Sequence, residues 1–587
     1  MTNHEVAEIL RHIAFLLDME GVEFKPRAYE KAAYAVEALE EPIQEMYARG
    51  GIKALEAIPG VGKSIAQKIE ELLRTGRMEY YEELRRKYPI DLSSLMGIEG
   101  VGPKTIRALY EALGITNLEE LEHAARQGRI RQLPRFGEKT EAAILRGIEF
   151  LRRHTGRFLL GDILPLMEEI CARLAALDEV ERIEIAGSLR RRKETVGDAD
   201  LLAISRRPAP VMEAFVSLPE VAHVYEKGET RSRVKLRNGL DVDLRVVPRE
   251  SFGAALQYFT GSKEHNIALR RIAEKMGLKL NEYGLFRGER RIAGRTEEEI
   301  YEALGLCYIP PELREDRGEI EAAREGRLPH LIEYGDLRGD LQVQTNWTDG
   351  AHSIEEMALE ARRLGLEYIA ITDHTRSLAM TRGSDETKLL EQIAEIRRLN
   401  RKLNGIRLLA GAEVNIRKDG TLDIRDDVLA QLDIVGIAVH SHFNMPRQEM
   451  TERIVRAMRR PYADILFHPT GRLLLKREPY DVDIDEIIRV ARETGTILEI
   501  DAYPERLDLK DEHIRKAVEA GVKLVIDSDA HHASHFRVLS YGIAQARRGW
   551  ARREDILNTL PCEDLLAYVR NARKRRESSA RRKSSRS

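Results

Sequence analysis

The chain has 587 residues, of which 43% are hydrophobic, and this is enough for several domains that each bury an ordinary core. The 95 Lys and Arg residues nearly balance the 98 Asp and Glu residues, so the net charge of -3 excludes a uniformly basic protein, and a nucleic-acid partner must bind local patches. Three widely spaced cysteines fit neither a disulfide framework nor a thiolate metal site. With no secretory signal or membrane-spanning run in the sequence, we expect a cytoplasmic protein without a membrane partner.

Residues 1 to 150 show helical patterns interrupted by glycine-containing turns, which read I-P-G-V-G (58–62), I-E-G-V-G (98–102) and, more loosely, L-P-R-F-G (133–137). Glycine lets the backbone approach a ligand closely, and the free amides at the start of the next helix favour a phosphate. A simple turn between helices is the alternative, but the repetition favours sequence-independent binding of a DNA backbone. The residues predicted to approach the DNA are Gly60, Gly62, Gly100 and Gly102.

These turns resemble the helix-hairpin-helix elements of the family X DNA polymerases. Within P-G-V-G-K-S-I-A-Q-K-I, the resemblance puts the Schiff-base nucleophile of a deoxyribose-phosphate lyase at Lys68, with phosphate-binding residues at Lys25 and Tyr29. Nearby cations would lower the pKa of such an amine, whereas a solvated helix face is the alternative for Lys68. The resemblance implies a small helical domain over residues 1–90 and a fingers-like helical domain over 91–150.

Two predicted strands carry pairs of carboxylates, in V-G-D-A-D-L-L-A-I (196–204) and L-D-V-D-L-R-V-V (240–247). Because side chains alternate along a strand, each pair is expected to leave one face. Converging carboxylates need cations between them, and hard oxygen ligands suit Mg²⁺ or Mn²⁺. Just upstream, backbone amides, a hydroxyl and guanidinium groups suit a triphosphate. They belong to Gly187, Ser188, Arg190 and Arg191. The combination predicts phosphoryl or nucleotidyl transfer, with surface acids at strand ends as the alternative.

These segments resemble the nucleotidyltransferase palm of the polymerase beta superfamily. The resemblance implies that Asp198, Asp200 and Asp243 hold the metal ions and that Asp243 lies nearest the primer 3′ hydroxyl. Asp241 is the competing residue on the same strand, because the spacing alone does not exclude it.

The stretch Y-F-T-G-S-K-E-H-N-I-A-L-R (258–270) resembles the thumb helix of family X polymerases. The resemblance implies that an aromatic pair excludes ribonucleotides, an asparagine bonds the minor-groove edge and an arginine contacts the template strand. Lys263 departs from the vertebrate pattern, and its charge is expected to hold the incoming nucleotide before DNA binds. A plain hydrophobic pair is the alternative for the aromatics. The matching residues are Tyr258, Phe259, Gly261, Ser262, Asn266 and Arg270, in a palm over 151–250 and a thumb over 251–315.

After a predicted linker over residues 316–338, short apolar runs that end in His or an acid alternate with amphipathic helices. This pattern predicts a β/α barrel over 339–570, with its chemistry at the C-terminal strand ends. This C-terminal half of the chain resembles the polymerase and histidinol phosphatase (PHP) domain of bacterial family X polymerases, a distorted barrel with a trinuclear phosphoesterase site. The implied Zn²⁺ or Mn²⁺ ligands are Asp349, His374, Glu413, His440, His468, Asp529 and His531.

The first barrel strand reads D-L-Q-V-Q, and the resemblance aligns Gln342 and Gln344 with an expected H-x-H pair. Glutamine offers only a neutral amide oxygen, so the position that keeps Glu413 and Asp529 is expected to lose its metal. We therefore expect weak or no 3′-5′ exonuclease activity from this domain.

The sequence thus predicts an all-α helix-hairpin-helix region, an α+β palm and thumb, a distorted β/α barrel and a basic disordered tail over 571–587. The tail is expected either to keep the protein soluble or to make an auxiliary contact with DNA. The expected function is that of a DNA-directed DNA polymerase that fills short gaps in base excision repair or end joining. Its expected partners are gapped or primed DNA, deoxynucleoside triphosphates and repair proteins, and we expect a monomer at the nucleoid. The alternatives are a metal-dependent nuclease whose palm only holds DNA, a non-catalytic scaffold and a template-independent transferase, against which Arg270 and the two hairpins argue.

Overall fold

The structure is a computed structural model. It describes residues 1, 3–37, 39, 41–96, 98, 101–154, 156–377 and 381–584. Of the residues predicted to bind DNA, Gly100 lies outside this set. Among the described residues, no helix combines the length and apolar character needed to cross a membrane.

The N-terminal region is helical, as predicted, and its apolar side chains form one continuous core from Val6 to Ile148. Two of the predicted turns end at Gly62 and Gly102, whose extended backbones precede helices without a side-chain cap. The backbone amides of both helix starts are therefore left uncapped by side chains. The helices are α1 (Asn3–Met19), α2 (Lys25–Glu37), α3 (Ile43–Glu56), α4 (Lys63–Thr75), α5 (Glu79–Lys87), α6 (Leu92–Leu95), α7 (Pro103–Leu113), α8 (Leu118–Arg126) and α9 (Glu138–His154).

The next region contains a five-stranded mixed sheet in the order β2-β4-β7-β6-β5, where β4 and β7 run parallel and the other neighbours run antiparallel. Its strands are β2 (Val180–Ile185), β4 (Asp198–Ser205), β5 (Val221–Lys227), β6 (Arg231–Leu236) and β7 (Asp241–Val247). The short strands β1 (Phe158–Leu159) and β3 (Thr195–Val196) pair beside it. The helices are α10 (Leu160–Ala175), α11 (Gly187–Arg190) and α12 (Pro208–Val216).

The predicted thumb and linker share one core. Its elements are α13 (Phe252–Thr260), α14 (Lys263–Lys275), β8 (Lys279–Asn281), β9 (Gly284–Arg287), β10 (Arg290–Ala293), α15 (Glu297–Ala303) and α16 (Glu319–Arg324). The prediction of a plain linker over 316–338 is wrong, because α16 buries Ile320 and Ala323 in the core of the thumb. The buried Glu319 also binds His265 of α14.

The C-terminal half is a parallel seven-stranded barrel, which confirms the predicted fold. Ala530, just after β17, bridges Val343 at the end of β11 and nearly closes the barrel. In sheet order the strands are β11 (Gly339–Val343), β12 (Tyr368–Ile371), β13 (Arg407–Asn415), β14 (Ile434–Ala438), β15 (Ile465–Leu466), β16 (Ile497–Asp501) and β17 (Leu524–Asp527). The helices are α17 (Ile354–Arg363), α18 (Glu386–Lys402), α19 (Asp426–Leu429), α20 (Arg447–Met458), α21 (Ile484–Thr494), α22 (Asp511–Glu519), α23 (Leu539–Arg548) and α24 (Cys562–Ser584).

The prediction of a disordered tail from residue 571 is also wrong, because α24 continues to Ser584. Arg573 and Arg576 of this helix both bind the buried carboxylate of Asp464, at 3.0 Å and 2.8 Å. Two cations that composition alone assigns to solvent therefore fix the helix to the barrel. Residues 585–587 lie outside the described set.

Candidate functional site

The acidic residues of the palm lie on one face of the sheet. Strands β4 and β7 pair in parallel with Asp198 opposite Asp241 and Asp200 opposite Asp243. Burial and then the charges of Asp198 and Asp243 raise the pKa of Asp200 to about 7. Such a shift is expected of a buried carboxylate that faces other carboxylates.

The two acids of β7 have different partners. The guanidinium of Arg233 donates to Asp241 at 2.9 Å, and the hydroxyl of Tyr225 donates to it at 3.2 Å. Asp243 accepts three hydrogen bonds from Arg231, at 3.3, 3.0 and 2.6 Å, and Nε of Arg245 lies 3.3 Å from it. Its charge is among those that raise the pKa of Asp200. Both acids therefore pair with arginines, and of the two only Asp243 is among the main causes that raise the pKa of Asp200.

A tight turn lies against these acids. Gly187 begins α11 with φ +65°, and a Cβ atom added there would lie 2.6 Å from Oδ2 of Asp200. Only glycine allows this approach, which brings the start of the turn and half-buried Ser188 to the acidic face. The turn is thus a short, fixed segment beside the carboxylates.

The two arginines that follow bind other protein groups. Arg190 makes a two-pronged ion pair with Glu297 of the thumb, at 2.9 Å and 2.6 Å, so its guanidinium joins palm to thumb. Arg191 donates to the carbonyl oxygen of Thr260, and its Nε lies 3.2 Å from Glu315.

The thumb residues surround the junction of α13 and α14. The rings of Tyr258 and Phe259 pack edge to face at 5.2 Å, and the hydroxyl of Ser262 caps α14 by accepting from the amide of His265 at 3.2 Å. Asn266 donates to the carbonyl of Tyr258 at 2.7 Å. Gly261 is buried, and Lys263 and Arg270 are exposed on α14.

Two further arginines lie near this site, of which the sequence pattern placed only Arg245, on the strand face of Asp243. Arg231 reaches Asp243 from β6, and the guanidinium of Arg245 lies over the ring of Phe259, 4.6 Å from its centroid. Arg245 was visible in the sequence as the residue two positions after Asp243 on the same strand face.

The candidate lyase residues also lie together. Lys68 donates to the hydroxyl of Ser64 at 2.9 Å, and its Nζ is 4.9 Å from the centroid of the Tyr80 ring. Tyr29 stacks on Tyr80 at 6.2 Å. Burial and then the charge of Lys25 lower the pKa of Lys68. Tyr80 of α5 was not predicted, because the quoted motif does not include it.

In the barrel, Glu413 is the central acid. Its two oxygens contact Nδ1 of His374 at 3.1 Å and Nε2 of both His440 and His468 at 2.9 Å. Burial alone would raise the pKa of Glu413, but His374 and His440 hold it well below its usual value. The central carboxylate is therefore ionised among imidazoles.

Among the barrel residues that the structure describes, two groups of side chains fit a divalent ion. In each, the possible ligand atoms lie within 4.8 Å of one another, and the groups share His374. Imidazole and carboxylate sets of this kind suit zinc, manganese or iron. The groups are Asp349, His374 and His531, and His374, Glu413 and His440.

The first strand does not provide a third such group. Gln342 on β11 and Gln344 just after it are fully buried, and Gln344 donates to Glu413 at 3.0 Å. Within the described part of the chain, both amide atoms of Gln342 and the amide oxygen of Gln344 have no hydrogen-bond partner. The neutral amides therefore do not replace the imidazoles that a borderline metal needs.

A cation of the protein lies at this end of the barrel. Nε of Arg506 is 3.4 Å from Asp529 and 3.3 Å from Asp501. The pKa of Asp501 is raised well above its usual value, first by burial and then by Asp529. Arg506 was not predicted, because it lies in a loop whose pattern carries no sign of a site.

Family models match most of the chain. A helix-hairpin-helix domain matches residues 1–78, and a SAM-like helix-hairpin-helix tandem matches 92–149. The DNA polymerase beta thumb matches 255–315, and the PHP domain matches 340–559.

Individual proteins agree with these models. The DNA polymerase/3'-5' exonuclease PolX of Bacillus subtilis is 37% identical over 576 residues, which cover 97% of this chain and 100% of that protein. DNA polymerase lambda of Rattus norvegicus is 24% identical over 53% of this chain and 56% of its own length. A protein named probable phosphatase from Thermoanaerobacter sp. (strain X514) is 31% identical over 32% of this chain and 78% of its own. The chain therefore belongs to the family X DNA polymerases that carry a C-terminal PHP domain.

Proposed function

We propose that this protein extends a primer 3′ hydroxyl on gapped or primed DNA with deoxynucleoside triphosphates and releases pyrophosphate. The observation that carries the proposal is the acidic face, where Asp198 and Asp243 raise the pKa of Asp200 beside the turn at Gly187. Acids under mutual repulsion next to free backbone amides suit a nucleotide triphosphate with its divalent ions.

The acidic face fits Mg²⁺ or Mn²⁺, because its donors are hard carboxylate oxygens. When bound, the ions would neutralise the acids and the triphosphate. We propose that Asp198, Asp200 and Asp243 hold them and that Asp243 receives the primer end. For this, Arg231 must release Asp243, since the two side chains form an ion pair in the described structure.

Nucleotide and template are proposed to bind along the thumb. Asn266 fixes the carbonyl of Tyr258, which supports a role in setting the ring that faces the sugar. Lys263 and Arg270 are exposed, which supports contacts with phosphates and the template strand, although Nε of Arg270 donates to the carbonyl of Asn266 at 3.3 Å. The proposed nucleotide site comprises Gly187, Ser188, Arg191, Tyr258, Phe259, Gly261, Ser262, Lys263 and Asn266.

The helical region is proposed to grip the DNA backbone at its uncapped helix starts, after Gly62 and Gly102 and near Gly60. Lys68 is proposed as the nucleophile of a lyase, a role supported by its lowered pKa beside Lys25. Tyr29 and Tyr80 would form the wall of that site.

The barrel is proposed to bind Zn²⁺ or Mn²⁺ at two positions and to hydrolyse DNA 3′ ends weakly or not at all. His374 and Glu413 belong to the groups that fit an ion, whereas Gln342 and Gln344 do not fit one. The chain is further proposed to act as a monomer at the nucleoid, in base excision repair or end joining.

Primer extension by Asp198→Asn on gapped DNA tests the proposal. We expect the wild type to add nucleotides and the variant to add none, since an amide binds a divalent ion poorly. A wild type that hydrolyses DNA but adds no nucleotide would favour the alternative, a nuclease whose palm only holds DNA. An equal rate for both proteins would contradict the assigned metal face.

A further inference from the structure

The segment from Gly187 to Glu194, called here the nucleotide turn, is held by the barrel as well as by its own domain. Arg548 of α23 donates to the carbonyl of Arg191 at 2.8 Å. Gln545 of the same helix donates to the carbonyl of Arg192 at 3.3 Å. Two barrel side chains thus fix successive carbonyls of a segment that lies more than 350 residues away in sequence.

Of the two side chains, Arg548 is held by more bonds. Its side chain is only 2% exposed, and its second terminal nitrogen binds Asp511 of α22 at 2.6 Å. Burial would lower the pKa of Arg548, but Asp511 and Glu315 raise it, and the pKa of Asp511 falls to about 2. The guanidinium is therefore charged, buried and fixed from the barrel side.

Glu315 connects Arg548 to the side chain of Arg191. Its Oε1 accepts from Arg548 at 3.0 Å and from Nε of Arg191 at 3.2 Å, and the ammonium of Lys193 is 3.9 Å away. The main chain of Arg191 is thus bound by Arg548, and its side chain by the partner of Arg548. A change at Arg548 is transmitted to both parts of Arg191.

The conformation of the turn requires such support. Gly187 has φ +65° and Arg192 has φ +55°, and the left-handed region is unfavourable for a residue with a side chain. Backbone held in this region persists when surrounding contacts fix it. The bond from Gln545 to the carbonyl of Arg192 is one such contact.

We propose that Arg548 is a positioning residue of the polymerase reaction, so that the barrel is a structural part of the nucleotide site. This inference rests on the proposed polymerase function. Arg548 does not reach the acidic face itself; it fixes the turn that lies against Asp200. Loss of Arg548 should therefore weaken binding of the incoming nucleotide more than it slows the chemical step.

The test is single-nucleotide gap filling by full-length Arg548→Ala over a range of deoxynucleotide concentrations. We expect KM for the nucleotide to rise about 10- to 100-fold, since misplacement of a positioning group by about 1 Å has effects of this size. We expect kcat to change less than KM. Arg548→Lys should recover part of the loss, because an ammonium can keep one of the three bonds.

Arg547→Ala is the matched control. Arg547 neighbours Arg548 on α23 and binds Glu312 and the carbonyl of Ile332, but it does not touch the nucleotide turn. Its KM should equal that of the wild type. If both alanine variants raise KM equally, or neither does, the inference is overturned, whereas a wild type that adds no nucleotide overturns the proposed function instead.

A second variant tests the inference even if Arg548→Ala does not fold. Gln545→Met keeps the volume of a fully buried side chain and removes only the bond to Arg192. We expect normal thermal unfolding and a rise in KM smaller than that of Arg548→Ala. An unchanged KM in a folded Gln545→Met, together with unchanged KM in Arg548→Lys, would contradict the inference.

Discussion

The palm and the barrel both gather carboxylates, but they balance the charge differently. In the palm, acids face acids, and the pKa of Asp200 rises to about 7. In the barrel, the central Glu413 faces imidazoles, and its pKa falls well below the usual value. The palm thus keeps Asp200 under repulsion even though Arg231 pairs with Asp243, whereas the barrel surrounds Glu413 with its own imidazoles.

From this difference we expect the two sites to tolerate substitution differently. A palm acid has no substitute, because only ionised oxygens attract the ions that the other acids need. In the barrel, Gln342 and Gln344 stand where imidazoles are expected, while Arg506 contributes positive charge beside Asp529.

The largest effect is expected from the two acids of β7. Asp243→Asn should lower the rate of primer extension by on the order of a hundredfold to a thousandfold, because it removes a ligand from the acidic face. Asp241→Asn is the control on the same strand and face, and should change the rate less than about threefold, since Asp241 binds Arg233 near the surface. Equal losses in steady-state extension would break the distinction between them.

The next effect concerns the barrel. Changing both Gln342→His and Gln344→His should raise Mn²⁺-dependent digestion of single-stranded DNA by about 10- to 100-fold, because imidazole suits the ion that an amide does not. Metal analysis of the folded protein should show one more bound ion than in the wild type. Equal digestion and equal metal content would contradict the account, and Asp198→Asn within the same double variant controls for the palm.

A third prediction concerns stability in the absence of metal. With a folded pKa of about 7 against an ordinary 3.8, Asp200 gives the folded state more bound protons than the unfolded state between these values. Folded stability should fall as the pH rises through this window. Asp200→Asn lacks this loss, so at about pH 8 in EDTA it should be more stable than the wild type by on the order of 1–3 kcal/mol.

Urea unfolding at about pH 3 is the internal control for that prediction, since Asp200 is then largely neutral in both the folded and the unfolded state and the two proteins should unfold alike. A stability difference that is the same at both pH values would show that the substitution acts through packing rather than charge.

The smallest effect is expected at Arg506. Arg506→Met leaves Asp501 and Asp529 without their cation, and should lower the free energy of unfolding in EDTA by about 1 kcal/mol. Lys510→Met, which affects a surface pair with Glu512, should change it less. If the Lys510 variant is destabilised more than the Arg506 variant, Arg506 does not balance the barrel acids.

Patterns between neighbouring residues correctly predicted the barrel, the acidic strand face and two helix starts. Apolar runs ending in His374 or His440 identified the barrel, and the alternation around Asp198 and Asp200 identified a strand face. The two glycine turns identified helix starts because glycine marks the turn that precedes a helix. These are relations between residues a few positions apart.

The errors and omissions arose over long sequence separations. Arg576 was assigned to a disordered tail because its partner Asp464 is 112 residues away, and Arg548 binds the carbonyl of a residue 357 positions away. The packing of the predicted linker into the thumb was missed for the same reason, since Glu319 binds His265 across 54 residues. A composition or a periodicity does not specify which charges meet in the folded chain.

One gel tests the account most directly: a 5′-labelled primer on gapped DNA, incubated with the wild type, Mn²⁺ and one complementary deoxynucleotide. We expect the nucleotide to be added to the primer across the gap. In this reaction, and in a parallel one without nucleotide, we expect almost none of the primer to shorten. A primer that shortens and never lengthens would contradict the assignment of the palm as the working site and the barrel as the impaired one.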